Sequence, residues 1–116
     1  MDFNLFHFKA MRVEIKPLSV NQAFQGKRFK TKLYLAYEKE MYFKLKPMTL
    51  PEAPYHLKID VGMSSSLADI DNFLKPFIDI LQKKYNFNDR DIIKLSVMKY
   101  KVPKGDEFIE FYFENV

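Results

Sequence analysis

The chain has 116 residues, 47% of them hydrophobic and none of them cysteine, which favours one folded domain and excludes disulfides and thiolate chemistry. No apolar stretch is long enough to span a membrane and the N-terminus does not resemble a signal peptide, so we expect a cytoplasmic protein. The net charge is +4, with the basic excess in residues 1–58, which suits either a bound polyanion or an ordinary lysine-rich surface.

The first half of the chain is predicted to form a strand, a loop and a helix. Residues 11–16 alternate apolar and charged side chains, which is typical of a half-buried strand that Pro17 ends. Residues 17–31 are predicted to be a loop. The segment Thr31–Lys46 has helical periodicity, and Thr31 can cap its start. The side chains expected on its apolar stripe are Leu33, Tyr37 and Met41.

The second half is predicted to form a strand, a helix and two further strands. Residues 55–61 alternate again, and residues 68–85 carry the apolar stripe of a second helix. Residues 92–102 and 108–113 are predicted to be strands, joined by a hairpin loop at 103–106. The order β-α-β-α-β-β predicts an α+β fold, with two helices on one face of a four-stranded, mostly antiparallel mixed sheet.

Two carboxylates flank a single residue at the predicted start of the second helix. Asp69 and Asp71 would repel each other unless a cation lies between them. Mg²⁺ or Mn²⁺ is the natural partner, because hard cations prefer oxygen ligands. The alternative is that the two side chains only cap the helix, whose N-terminal N–H groups favour negative charge.

A third carboxylate, Asp89, follows this helix, but the helix separates it from Asp69 and Asp71. A helix of about 16 residues spans roughly 24 Å, so simple hairpin geometry leaves Asp89 far from Asp69. Either residues 86–91 travel back along the helix or a second subunit supplies the ligand, and the spacing favours neither alternative.

Lys75 is the cation within this acidic segment. It lies four residues from both Asp71 and Asp79, which predicts a ladder of surface ion pairs along one line of the helix. The alternative is that the Lys75 ammonium group neutralises charge that builds up on a reacting phosphoryl group.

At this point the sequence resembles a known family. Residues 69–81, Asp-Ile-Asp-Asn-Phe-Leu-Lys-Pro-Phe-Ile-Asp-Ile-Leu, are similar to the D-x-D-N-x-x-K-x-x-x-D-x-L motif of RusA-type Holliday-junction resolvases. Residues 88–95 resemble the family's second acidic motif, with Asn88 in place of its first Asp. Residues 17–21 resemble its N-terminal Pro-Ser-x-Asn loop, and the likeness covers residues 11–114.

The resemblance implies a homodimeric α+β endodeoxyribonuclease, of a kind common in bacteria and prophages, which resolves four-way DNA junctions by paired nicks. It implies Mg²⁺ as cofactor, with Mn²⁺ as a substitute, and leaves residues 1–10 as an extra N-terminal segment. Asp79 and Asp91 keep structural roles. The residues carried over are Asp69, Asp71 and Asp89 as metal ligands, Lys75 as the essential lysine and Asn72 as the adjacent asparagine.

The loop at residues 17–31, which carries the basic and aromatic run 27–30, is the expected contact to the DNA backbone. Phe24 or Phe29 in this loop would either stack on bases at the junction or pack the loop onto the core. The main rival interpretation is a catalytically weak or inactive junction-binding protein, which Asn88 supports. A third is a structural domain whose acidic cluster only caps a helix. The residues expected to bind DNA are Asn21, Lys27, Arg28, Lys30 and Lys99.

Overall fold

The structure is a computed structural model that describes residues 10–26 and 29–116. The expectations for residues 1–9, and for Lys27 and Arg28 as DNA contacts, lie outside these described residues. Within them, no helix has the length and apolar character that crossing a membrane requires.

The elements combine a sheet with helices, as an α+β fold requires. Two long helices and four strands form the body of the fold, and the shorter elements decorate it. In chain order the elements are β1 (Met11–Glu14), α1 (Val20–Ala23), β2 (Phe24–Gln25), β3 (Phe29–Lys30), α2 (Lys32–Lys44), β4 (Tyr55–Met63), α3 (Leu74–Tyr85), a 3₁₀ turn (Asp89–Asp91), β5 (Ile92–Lys101) and β6 (Phe108–Asn115).

The segment 17–31 is more ordered than the predicted loop. It contains the four-residue helix α1 and the small hairpin of β2 and β3. A capping box explains α1: the Ser19 hydroxyl accepts the Gln22 backbone N–H at 3.3 Å, and the Gln22 side chain accepts the Ser19 N–H at 3.5 Å. The Thr31 hydroxyl then donates to the Gln22 carbonyl at 2.6 Å and ties the end of the hairpin back to α1.

The four-stranded sheet has the order β1-β6-β4-β5. β4 is antiparallel to β6 and parallel to β5, which confirms the α+β class and the mixed four-stranded sheet. The predicted hairpin between the last two strands is wrong, because β4 lies between β5 and β6. α3 is a crossover that returns the chain to the amino end of β4, so β5 runs parallel to β4. Residues 102–107 then carry the chain across the end of β4 to its other side.

α2 begins at the predicted cap but has a different buried face. The Thr31 hydroxyl accepts the Tyr34 N–H at 3.1 Å, as expected. Tyr34, Tyr37 and Met41 are buried, whereas Leu33 is 53% exposed, so its place on the apolar stripe was predicted wrongly. The phase of the helix turns the larger aromatic ring of Tyr34 into the core, where it meets Phe24 edge to face.

α3 begins six residues later than the sequence predicts. Its first residue is Leu74, so Pro76 falls in the first turn, where the missing N–H has no intrahelical partner to lose. Asn86 ends the helix in the left-handed conformation, with φ of 54°. The late start has a consequence for the site, because it leaves both Asp69 and Asp71 in the loop before the helix.

One hydrophobic core joins the two long helices to one face of the sheet. Alternate residues of β4 and β6 point into it, as the period of a strand requires. The opposite face of the sheet, here called the open face, carries the other alternate side chains and is largely polar. The buried residues of the core include Leu57, Ile59, Val61, Phe73, Phe77, Ile80, Leu81, Ile109, Phe111 and Phe113.

Candidate functional site

The two predicted carboxylates lie together on the loop that connects β4 to α3. Both Asp69 and Asp71 are exposed. The Asn72 N–H donates to the Asp69 carbonyl at 3.4 Å and the Leu74 N–H to the Asp71 carbonyl at 3.2 Å, so the loop approaches the helix through successive turns. Phe73 is buried beneath the loop. The core therefore holds the loop in place while its carboxylates face solvent.

Asn72 links the acidic loop to the N-terminal segment. Its side-chain amide donates to Asp69 Oδ2 at 3.3 Å, and its backbone carbonyl accepts the Val20 N–H at 2.7 Å. A carboxylate held by a neighbouring amide has a restricted orientation. The Asn72 amide therefore lies beside an acidic side chain of the loop.

A cavity of about 180 Å³ lies beside these residues. The segment after β1 and the segment after β4 form its walls. A larger cavity, of about 380 Å³, lies between β1 and residues 46–51 and has no acidic or histidine side chain in its lining. Of these two cavities, only the smaller has carboxylate side chains in its lining. Its lining includes Lys16, Gln22, Ser64, Asp69, Asn72 and Glu107.

Glu107 is a carboxylate at this cavity that the sequence reasoning missed. Although only 8% exposed, it accepts the Ser64 hydroxyl at 2.8 Å and the Gly105 N–H at 2.9 Å. Hydrogen bonds from its own backbone N–H and from Ser64 lower the pKa of Glu107. It lies here because β6 pairs with β4, so that Phe108 is opposite Gly62. Because the sequence predicted a hairpin between the last two strands, it did not place Glu107 beside the loop that carries Asp69.

Lys75 points along α3 towards Asp79. Its Nζ donates to Asp79 Oδ2 at 3.2 Å and lies 5.6 Å from the centre of the Phe24 ring. The half of the predicted ladder between Lys75 and Asp79 is confirmed. Asp71 is not in the helix, so the ladder does not extend to it.

Lys99 supports the acidic loop from β5. Its ammonium group donates to the Ala68 carbonyl at 2.7 Å, directly before Asp69. The contact holds one positive charge at the residue that precedes Asp69. It also engages Lys99 in holding the loop, a role that differs from the expected contact to DNA.

Asp89 lies at the opposite end of the sheet from Asp69 and Asp71. It follows α3 in a 3₁₀ turn, where its N–H donates to Gln82 Oε1 at 2.8 Å and the Asn88 side chain accepts the Arg90 N–H at 3.0 Å. β5 starts at once after this turn. Residues 86–91 therefore do not travel back along the helix, which leaves a second subunit as the remaining alternative.

The described part of one chain does not assemble a complete metal site by itself. Within residues 10–26 and 29–116, no three His, Cys, Asp or Glu side chains lie close enough together to hold an ion. The oxygen donors of Asp69 and Asp71 fit a hard divalent cation, but they are two ligands where such ions take six or more, counting water.

The predicted DNA contacts that the structure describes are arranged around the N-terminal hairpin. Asn21 is exposed on α1, and Phe29 is 75% exposed on β3. Lys30 donates to Glu38 Oε2 at 3.0 Å, as does Lys83. Burial opposes ionisation of Glu38, but the hydrogen bonds from Lys30 and Lys83 outweigh it and lower the Glu38 pKa. Lys30 is therefore held in an ion pair, whereas Phe29 is accessible.

A second polar cluster crosses the open face. His56 is buried, with Nδ1 2.7 Å from Glu114 Oε1 and Nε2 2.8 Å from Ser96 Oγ. The three groups have the hydrogen-bond order of a hydrolytic triad. Ser96, however, lies within a regular strand, and a nucleophilic serine is raised above its sheet at a sharp turn. The cluster links β5, β4 and β6 and satisfies a buried imidazole.

No protein-family model matches the chain, and no curated protein is significantly similar to it. The resemblance to RusA-type resolvases therefore rests on residues 69–81 and 88–95 and stays a prediction. The geometry around Asp69 and Asp71 carries the functional argument.

Proposed function

We propose that the protein is a Mg²⁺-dependent endodeoxyribonuclease that resolves branched DNA, four-way junctions above all, as a homodimer of the RusA type. The observation that carries the proposal is the exposed pair Asp69 and Asp71 beside a cavity, with Asn72 bonded to one carboxylate and Lys99 beside the loop. The proposed setting is the cytoplasm of a bacterium or of a phage-infected cell.

Asp69 and Asp71 of one copy and Asp89 of the other would hold the ion. When bound, Mg²⁺ polarises the phosphodiester and provides a nucleophile at neutral pH. Asn72 keeps Asp69 in one orientation, and Lys99 keeps the acidic loop against β5. Two equivalent sites in a dimer suit paired nicks across a junction.

Lys75 would leave Asp79 to meet the phosphate. Its side chain is 60% exposed, and an exposed pair at this spacing contributes only about 0.3–0.5 kcal/mol. A phosphate oxygen can therefore replace Asp79 at little cost. The Lys75 ammonium group would then neutralise charge that develops on the phosphoryl group.

The β2–β3 hairpin would contact the DNA next to the site. It packs on the start of α3 through Phe24 and Lys75. The exposed ring of Phe29 offers a surface for base stacking. Phe24 is engaged with Tyr34, so its packing role is the better supported alternative. Lys27 and Arg28 would add phosphate contacts at the same hairpin.

The test is cleavage of a synthetic four-way junction with end-labelled strands in Mg²⁺. We expect paired nicks, and a loss of at least about a hundredfold in rate for Asp71→Asn. Asp60→Asn is the matched control, because Asp60 lies in the middle of β4 on the open face. If Asp71→Asn cleaves as fast as the unchanged protein, the proposed mechanism is wrong.

A second candidate is a junction-binding protein without nuclease activity. The observation in its favour is Asn88, which replaces a carboxylate of the family motif and uses its side-chain oxygen to cap the 3₁₀ turn. Junction binding that persists in EDTA, without cleavage in Mg²⁺ or Mn²⁺, would favour this function.

A further inference from the structure

β5 is a long strand at an open edge of the sheet. It has ten residues, and β4 is its one strand neighbour in the described part of the chain. The other edge leaves a row of backbone N–H and C=O groups available for pairing. Large apolar side chains line the same strand, with Ile93 61% and Met98 56% exposed. Such an edge is a template for another strand.

The exposed apolar side chains occupy both faces of β5. Leu95, opposite Leu57, points to the helix side, whereas Tyr100, opposite Gly62, points to the open face. A strand that only borders solvent carries polar side chains on at least one face. Lysines at an edge normally discourage pairing. A partner for β5 must therefore cover apolar groups and also neutralise its lysines.

We infer that β5 pairs antiparallel with β5 of a second copy of this chain, about a two-fold axis that passes through Leu95 at right angles to the sheet. The geometry of this pairing is inferred from β5 alone. Its functional role rests on the proposed function, because the pairing is the surface through which the second copy would complete the metal site. The product is one continuous sheet of eight strands with all long helices on the same side.

In this register, the lysines near the end of β5 in one copy lie beside the aspartates before the start of β5 in the other copy. With Leu95 on the axis, Lys99 and Lys101 of each copy lie beside the start of β5 in the other copy. The 3₁₀ turn directly before that start carries Asp89 and Asp91. By symmetry, two lysines of one copy meet two carboxylates of the other at each end of the new pairing. Opposite charges that face each other across strands are favourable.

Neighbouring registers lack this complementarity. A two-fold antiparallel pair keeps each side chain on its own face only if the axis passes through a residue. An axis at Ser96 leaves one acid–base match, Asp91 with Lys101. An axis at Val97 places Lys101 opposite Ile93 and gives no match. Of these three registers, the one with the axis at Leu95 brings both lysines beside the turn that carries Asp89 and Asp91.

The same register brings the separated carboxylates together. Lys101 pairs with Met63 at the carboxyl end of β4, where the acidic loop begins. Asp89 of the second copy, in the turn beside Lys101, therefore arrives at the end of the sheet that holds Asp69. Ten residues of strand span about 33 Å, so the two composite sites lie at opposite ends of the β5 pair.

The experiment uses the absence of cysteine from the sequence. Leu95→Cys, Ser96→Cys and Val97→Cys are made singly in the full chain and treated with a short thiol cross-linker. Residue 95 is directly opposite its own copy, whereas residues 96 and 97 are displaced from theirs along the strand. Leu95→Cys is therefore expected to form a covalent dimer at least tenfold faster than the other two. Faster reaction of Ser96→Cys or Val97→Cys would overturn the register.

A charge exchange gives a second readout that needs no thiol. Asp89→Lys and Lys101→Asp are each expected to weaken self-association about fivefold or more by sedimentation equilibrium, and the double variant is expected to restore it. A monomeric unchanged protein, or a double variant weaker than both singles, would overturn the inference. A β5 dimer that does not cleave junctions overturns only the proposed function, and cleavage without the Leu95 cross-link overturns only this inference.

Discussion

β1 and β5 form the two edges of one sheet, but β1 has four residues and β5 has ten. β1 buries Val13, and the outward Arg12 donates to Glu14 at 2.9 Å. β5 instead leaves four large apolar side chains exposed. Shortness and paired charges protect the first edge from association. In the described part of the chain, one edge is therefore short and protected, whereas the other is long, apolar and open, as the proposed β5 pairing requires.

The largest expected effect is the loss of self-association in Leu95→Glu. In the proposed pairing it removes two buried leucines, sets two carboxylates against each other at the axis, and weakens the dimer at least about a hundredfold. Sedimentation equilibrium measures it. Leu33→Glu is the matched control, because Leu33 is a comparably exposed leucine on α2. Equal effects of the two changes would contradict the comparison.

The second effect concerns the stability of the closed edge. Val13→Ala removes two methyl groups from a core position that is 2% exposed, so unfolding in urea is expected to be easier by about 2 kcal/mol. Leu95→Ala, at a position 42% exposed, should cost less than half as much when measured on the monomer. A larger cost at Leu95 than at Val13 would show that β5 is not an open edge.

The third effect concerns the attachment of β5 to the sheet. Ser96→Ala leaves His56 Nε2, which lies 2.8 Å from the hydroxyl, without a partner on a buried imidazole. We expect a loss of about 1–2 kcal/mol in unfolding free energy and faster amide exchange along β5. Ser66→Ala, at an exposed loop position, is the control. Unchanged exchange in β5 would mean that this bond does not anchor the edge.

The smallest effect at neutral pH is expected for Glu107→Gln, a change that lies outside both edges. The pKa of Glu107 is lowered from 4.5 by hydrogen bonds from its own N–H and from Ser64. Its stabilisation is therefore present above pH 4.5 and lost as pH falls through the lower folded pKa. Glu107→Gln should flatten this acid-side loss of stability in thermal denaturation. An unchanged acid profile would contradict the assignment.

Local signals along the chain predicted most of the elements. Thr31 caps α2 as its sequence position indicates, and alternation identified β1 and β4. The capping box of Ser19 and Gln22 is also visible in the sequence, but residues 17–31 were predicted to be a loop. These features depend on residues within four positions of one another, which is why they can be predicted.

Strand order could not be predicted in the same way. The turn at residues 103–106 has the composition of a hairpin loop, yet β4 separates the two strands that it connects. Strand order depends on pairing and packing between residues that are far apart in the sequence. Glu107 was missed for the same reason, whereas Asp69 and Asp71 were found because they lie two positions apart. The distance to Asp89, expected from the length of the helix, is confirmed for one chain.

The position of β6 has a consequence for how the protein is made. In the described part of the chain β1 has one strand neighbour, β6, and Met11 pairs with Phe111, roughly a hundred positions later. A ribosome adds about 5–20 residues each second, so β1 must wait several seconds before its partner exists. During that interval Val13 and Ile15 lack the neighbouring strand β6. We therefore expect the N-terminal strand to dock late, and the wall that it gives to the acidic cavity to be completed only after β6 has been synthesised.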